Sequence, residues 1–235
     1  MIGRGHSGTR VLAQMLYASG VFMGDTINRT GEMVPPDPIW ECCRLIGPHI
    51  QRIDETNWDF SRVFDVEIPT AFKRHLENYL APLRGEDPSG WKLPEMILIF
   101  PWLLRLHPEV RYIYLVRNPR DCILGEHFTD WMEHLGVDFP PIPGDMLMQR
   151  ALSWKYQYDI VQKSLFRQRP EHWLEIRYED FVLDHERTMQ RLETFLGMRL
   201  ARIVVHTDSI DLWKSSPENT DFHFLQEAMQ KYGYK

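Results

Sequence analysis

Short apolar runs alternate along the chain with longer stretches whose apolar residues recur at helical spacing, the pattern of βαβ units around a parallel sheet. Val11, Leu12, Met15 and Leu16 share one helical face and stop at Gly20, which predicts a helix opening near Thr9. Ile39, Cys42, Cys43 and Ile46 repeat the pattern before Gly47-Pro48. Pro69 opens a third helix through Leu76, Tyr79, Leu80 and Leu83, ended by the turn-rich stretch from Gly85 to Gly90. Trp91-Lys92-Leu93 reads as a short strand. Tyr112-Ile113-Tyr114-Leu115-Val116 is aromatic, β-branched and without alternation, so it reads as a strand buried on both faces. A helix is predicted from Arg120 to Leu135, and another, capped by Asp145, through Leu152, Tyr156 and Val161. Trp173 to Ile176 reads as a strand, and Glu179 to Leu196 as a helix closed by Gly197.

These elements predict an α/β fold, three-layered with a central, mostly parallel sheet, in one domain spanning residues 1–235. Hydrophobic residues at 43% and charged residues at 26% are near the averages of folded proteins, which excludes disorder and coiled coil as the main architecture. Lys and Arg number 27 against 33 Asp and Glu, so the net charge of −6 speaks against a protein that coats nucleic acid. Three cysteines, two of them adjacent, match neither a disulfide framework nor a metal-ligand spacing, and the expected compartment is reducing and cytoplasmic. No run of apolar residues is long enough for a membrane span.

The chemistry begins at Gly3-Arg4-Gly5-His6-Ser7-Gly8-Thr9-Arg10, directly before the first helix. Glycines let successive N–H groups turn inward, and a helix N-terminus adds roughly half a positive charge, which together cradle an anion. Gly3 and Gly8 have the spacing of a nucleotide-triphosphatase loop, but Thr9 and Arg10 stand where that loop needs its lysine and its Mg²⁺-binding hydroxyl. Gly5-His6-Ser7-Gly8-Thr9 also approximates a hydrolase nucleophile elbow, without the final glycine. The buried strand 112–116 runs into Arg117-Asn118-Pro119-Arg120-Asp121, so arginines arrive at the carboxyl edge of the sheet, where α/β proteins bind ligands. Two anion sites at one edge imply a ligand with two separated anionic groups.

At these residues the chain resembles the sulfotransferases that use 3′-phosphoadenosine 5′-phosphosulfate. Gly5 to Arg10 is similar to the family's 5′-phosphosulfate loop, and Arg117 to Asp121 to its 3′-phosphate motif. Trp91-Lys92-Leu93-Pro94 is similar to the segment that carries a lysine near the transferred group. Arg177-Tyr178-Glu179-Asp180-Phe181 and Phe195-Leu196-Gly197 are similar to two late signatures. The resemblance implies a P-loop-like fold and sulfuryl transfer, without a required metal, to a hydroxyl or amine of a carbohydrate or other small-molecule acceptor.

It further implies that Gly5, His6, Ser7, Gly8, Thr9 and Arg10 hold the 5′-phosphosulfate, that Lys92 neutralises the leaving oxygen, and that Arg117 grips the 3′-phosphate. Tyr178 would lie near the adenine. Two positions depart from the family's pattern: His6 stands for a lysine or arginine, and Gly125, eight residues after Arg117, for a serine that backbone or Lys214 would have to replace. Only Met1 and Ile2 precede the loop, so the expectation is either a first strand truncated at the start of the chain or a stunted one. Glu32 and Glu41 are candidate bases, with Asp25, His107 and His127 as further ones. The competing functions are a kinase with a degenerate phosphate loop and a non-catalytic nucleotide-binding protein.

Overall fold

The strand β3 (Tyr112–Val116) is buried at every position and pairs in parallel with β4 (Trp173–Arg177), Tyr112 opposite Trp173 and Val116 opposite Arg177. The computed structural model describes residues 1–234. On the other flank of β3, Ile2 makes a parallel bridge to Tyr114: its N–H donates to Ile113 O at 2.8 Å, and Leu115 N–H donates to Ile2 O at 3.0 Å. Three parallel segments therefore end at one edge, and their next residues are Gly3, Arg117 and Tyr178. That edge is where ligands bind in open α/β sheets.

Alternate β3 residues face opposite ways, as a strand demands. Ile113 and Leu115 join the apolar cluster of α1 (Thr9–Ala18), α7 (Tyr178–Leu183) and α8 (His185–Leu196), with Leu12, Met15, Phe181 and Leu192. Tyr112, Tyr114 and Val116 join the larger cluster built by α2 (Asp37–Ile46), α3 (Thr70–Leu80), α4 (Phe100–Leu106) and α6 (Met146–Ser164). The α/β class holds, with small sheets: among the described residues the named strands form the parallel pair β3–β4 and a small antiparallel pair, β1 (Gln51–Arg52) with β2 (Trp58–Asp59).

Four expected elements stand where the pattern put them: α1, α2, α3 and α6, the last capped by Asp145, which accepts the Met148 N–H at 2.9 Å. Three readings need correction. Trp91–Leu93 is no strand; it is a buried irregular segment running into a 3₁₀ turn at Pro94–Ile97, with Lys92 only 4% exposed. The helix expected over 120–135 stops after one turn as α5 (Pro119–Cys122), because the Arg4 guanidinium takes the Cys122 carbonyl at 2.9 Å and 3₁₀ turns follow. The late helix is likewise two, α7 and α8, broken at Asp184, and α8 ends at Gly197 in the left-handed region (φ 72°) as expected. A last helix, α9 (Gln226–Tyr232), packs Ala228 and Met229 onto the larger cluster. No helix among the described residues is long and apolar enough to cross a membrane.

Candidate active site

The loop from Gly3 to Gly8 is shaped by close approaches. Gly8 has φ 91°, a left-handed conformation that favours glycine, and a Cβ there would meet the Tyr178 ring at 2.2 Å. Gly8 caps α1 without a side-chain hydrogen bond. The N–H groups of His6, Gly8, Thr9 and Arg10 donate to no carbonyl among the described residues. Orphan donors at a helix N-terminus, beside the helix dipole, form an anion cradle.

A cavity of about 360 Å³ opens over this cradle. Its walls include Gly5, His6, Gly8, Thr9 and Arg10 from the loop, Thr30 and Glu32 from the loop after α1, Lys92 and Pro94, Arg117, and His127. Arg10 is exposed and makes no hydrogen bond or ion pair among the described residues, so its charge is free for a ligand. Lys92 is almost wholly buried. Its Nζ donates to Glu32 Oε1 at 2.5 Å and to Thr30 O at 3.2 Å.

Glu32 is oriented by Asn28, whose Nδ2 donates to its Oε2 at 2.8 Å and whose Oδ1 accepts the Glu32 N–H at 3.0 Å. Burial pushes the Glu32 carboxyl up, but the bonds from Asn28 and Lys92 outweigh it, and the group lies below its ordinary value. Burial pulls the Lys92 ammonium down, against the opposing pull of Glu32. Glu95, three residues on, is 4% exposed; burial raises its carboxyl, and Trp40 Nε1 donates to its Oε1 at 3.3 Å.

The loop from Gly3 to Gly8 is clamped by the segment after α5. Arg4, 3% exposed, pairs with the fully buried Asp130 at 2.6 Å and also donates to Gly5 O at 3.0 Å. His6, in the left-handed region (φ 65°), hydrogen-bonds through Nε2 to Glu126 O at 2.7 Å, and burial lowers its pKa. Two glycines receive the two histidines. A Cβ on Gly5 would meet the His127 ring at 2.2 Å, and one on Gly125 would meet the His6 ring at 2.7 Å. The two departures noted in the sequence, His6 and Gly125, are thus in contact: the imidazole fills the space a larger residue at 125 would need.

Arg117 lines the cavity, yet most of its donors are engaged. Nη1 donates to His6 O at 2.8 Å and Nη2 to Ser209 O, with Asp121 Oδ2 at 3.4 Å. Its guanidinium lies 4.9 Å from the Tyr178 ring centroid, and Tyr178 Oη bonds Ser209 Oγ at 2.8 Å. Ser7 turns inward: its hydroxyl donates to Arg4 O at 2.6 Å and its N–H to the same oxygen at 3.2 Å, and it lies outside the cavity walls. Lys214 pairs with Asp211 at 2.5 Å and Glu41 with Arg44 at 2.5 Å; both are exposed and neither lines the cavity. Asp25 and His107 also lie outside its walls. Sequence reasoning missed Arg4, Thr30 and Asp130. For Arg4 the signal was a charged residue inside an otherwise apolar start, and for Asp130 there was none.

Comparison with known proteins agrees with this geometry. The model of the sulfotransferase family matches residues 1–202. A 3-alpha-hydroxysteroid sulfotransferase from Cavia porcellus is 25% identical over 139 residues, covering 54% of this chain and 46% of that protein, so the chain aligns with about half the relative's length. The solved sulfotransferase domain from the curacin biosynthetic pathway superposes with a TM-score of 0.61 at 16% identity, over 100% of this chain and 96% of that one. That likeness establishes a shared fold. With a match across most of its length and a glycine-rich loop that lacks the triphosphatase lysine, this chain belongs to the sulfotransferase family.

Proposed function

We propose that the cavity binds 3′-phosphoadenosine 5′-phosphosulfate and that the chain transfers its sulfuryl group to a hydroxyl or amine of a small acceptor, a carbohydrate or similar metabolite. The observation that carries this reading is the Lys92–Glu32 pair opposite the unbonded N–H groups of α1. A cation at the reacting end of an anion cradle is what the reaction needs, because charge accumulates on the leaving phosphate oxygen.

The N–H groups of His6, Gly8, Thr9 and Arg10 and the Arg10 guanidinium hold the 5′-end, and Arg117 faces the 3′-phosphate while tying the loop to the sheet through His6 O. Lys92 turns part of its charge toward the leaving oxygen. Glu32, thereby released from part of the pull that keeps its pKa low, accepts the proton of the acceptor. The sulfur–oxygen bond to phosphate breaks, its electron pair staying with the phosphate, and the acceptor oxygen or nitrogen bonds to sulfur. Glu41 plays no part in this scheme.

Thermal unfolding with and without 3′-phosphoadenosine 5′-phosphate tests the reading. Ligand at a hundredfold excess over Kd stabilises by about 2.7 kcal/mol. A folded chain that shows no shift overturns the donor site. A chain that shifts but moves no labelled sulfate to any hydroxylated acceptor is a binding protein instead.

A further inference from the structure

His127 stands between the anion loop and a buried polar cluster, and its ring rests on the backbone of Gly5. The far side of the ring is fixed. The Thr129 N–H donates to Nδ1 at 3.1 Å, and the Thr129 hydroxyl lies 3.0 Å from the same nitrogen. A backbone N–H can only donate, so Nδ1 carries the lone pair and a neutral ring carries its proton on Nε2. Thr129 is itself fully buried; its hydroxyl accepts from Gln157 Nε2 at 3.2 Å and its carbonyl from Ser153 Oγ at 3.0 Å. Asp130 Oδ2 accepts the His127 N–H at 2.8 Å while Oδ1 holds Arg4. Five polar residues thus fix one imidazole in one orientation.

The charged and titratable groups around the ring are Arg4, Asp130, His6 and Glu32, and burial first, then Arg4, pull its pKa down to about 4. Protonating Nδ1 would also set two N–H groups against each other. Nε2 makes no hydrogen bond among the described residues, although the ring forms part of the cavity wall.

We propose that His127 is a fixed, uncharged hydrogen-bond donor of this site, its Nε2–H directed to an anionic oxygen of the sulfate or phosphate group held by the loop. The inference rests on the donor-binding reading above. It gives His127 a role opposite to that of a base, since Nε2 already holds a proton and Nδ1 is occupied by Thr129.

The experiment combines ¹⁵N imidazole spectra of the parent chain with calorimetric binding of 3′-phosphoadenosine 5′-phosphate to the parent, His127→Met and His127→Gln, from about pH 6 to about pH 8. The parent should show the neutral ring protonated on Nε2 throughout. His127→Met should bind about tenfold more weakly, by the same factor at every pH. His127→Gln, whose amide N–H reaches a similar place, should recover most of that loss.

A proton on Nδ1, a methionine variant that binds as well as the parent, or a loss that fades as pH rises each overturns the proposal. Should the methionine variant not fold, the parent spectrum and the glutamine variant still decide. If the folded parent binds no nucleotide, the donor reading falls and this inference with it; if it binds and the methionine variant is indifferent, only this inference falls.

Discussion

Nζ of Lys92 lies 2.5 Å from Oε1 of Glu32, a carboxylate 60 residues away in sequence, and Lys92 is 4% exposed while Glu32 keeps one edge toward the cavity. A buried ammonium with one carboxylate partner is costly to leave alone. The pair therefore holds the cavity floor together before any ligand arrives, and is placed to divide its charges once an anion does.

Glu32→Gln separates those roles. It removes the proton acceptor but keeps the bulk of the side chain, so turnover should fall about 10²- to 10⁴-fold while nucleotide binding changes by no more than about threefold. Lys92→Met should reduce both binding and turnover. Single-turnover transfer beside equilibrium binding separates the cases; a Glu32→Gln variant with parental turnover removes Glu32 from the chemistry.

The pH dependence has a definite sign. The Glu32 carboxyl lies below its ordinary value of 4.5 in the folded chain, so its pairing with Lys92 contributes fully above that value and is lost only as pH falls through the lower, folded pKa. Melting temperature should therefore keep the pair's contribution down through the ordinary glutamate range, and Glu32→Gln should narrow its gap to the parent only below it. A gap that closes near neutrality would contradict the pairing.

His6 and Gly125 should be energetically coupled. Gly125→Ser places a side chain where the His6 ring lies 2.7 Å from a Cβ, which forces the imidazole off the Glu126 carbonyl. The single variant should lose stability, and adding His6→Ala should cost little more, giving a coupling of about 0.5–3 kcal/mol in a double-mutant cycle. Strict additivity would mean that the contact carries no energy.

Arg4→Met should be among the most damaging substitutions in the chain. It strands Asp130, which is fully buried, and removes the donors to Cys122 O and Gly5 O. Breaking a buried pair on one side typically costs about 3–5 kcal/mol. Denaturant unfolding measures it, and a loss below about 1 kcal/mol would mean that the pair contributes no more than an exposed one.

The glycine-rich loop, β3, the arginine after it and the first three helices are legible because each is written in local residue types and spacing. The resemblance singles out Lys92, but the strand expected around it is a buried irregular segment, since the two share the same apolar composition. The long helix expected from Arg120 fails for a reason no local pattern holds: Cys122 gives its carbonyl to Arg4, more than a hundred positions away. Pairing across such distances also gives the two candidate bases different surroundings. Glu32 and Glu41 look alike as acidic residues near a helix, and only the fold sets one against Lys92 and the other against Arg44.

The exchange of rings and glycines between the phosphate loop and the segment 120 residues later bears on modularity. Residues 3–10 read as a portable cassette, the kind of motif that could be lifted into another scaffold with its helix. Half of its shape, however, is supplied by Cys122, Glu126, His127 and Asp130. Transplanted alone, the segment would be a glycine-rich string with no reason to curl. The unit that evolution or an engineer can move is the pair of segments together, and a change in either one must be answered in the other.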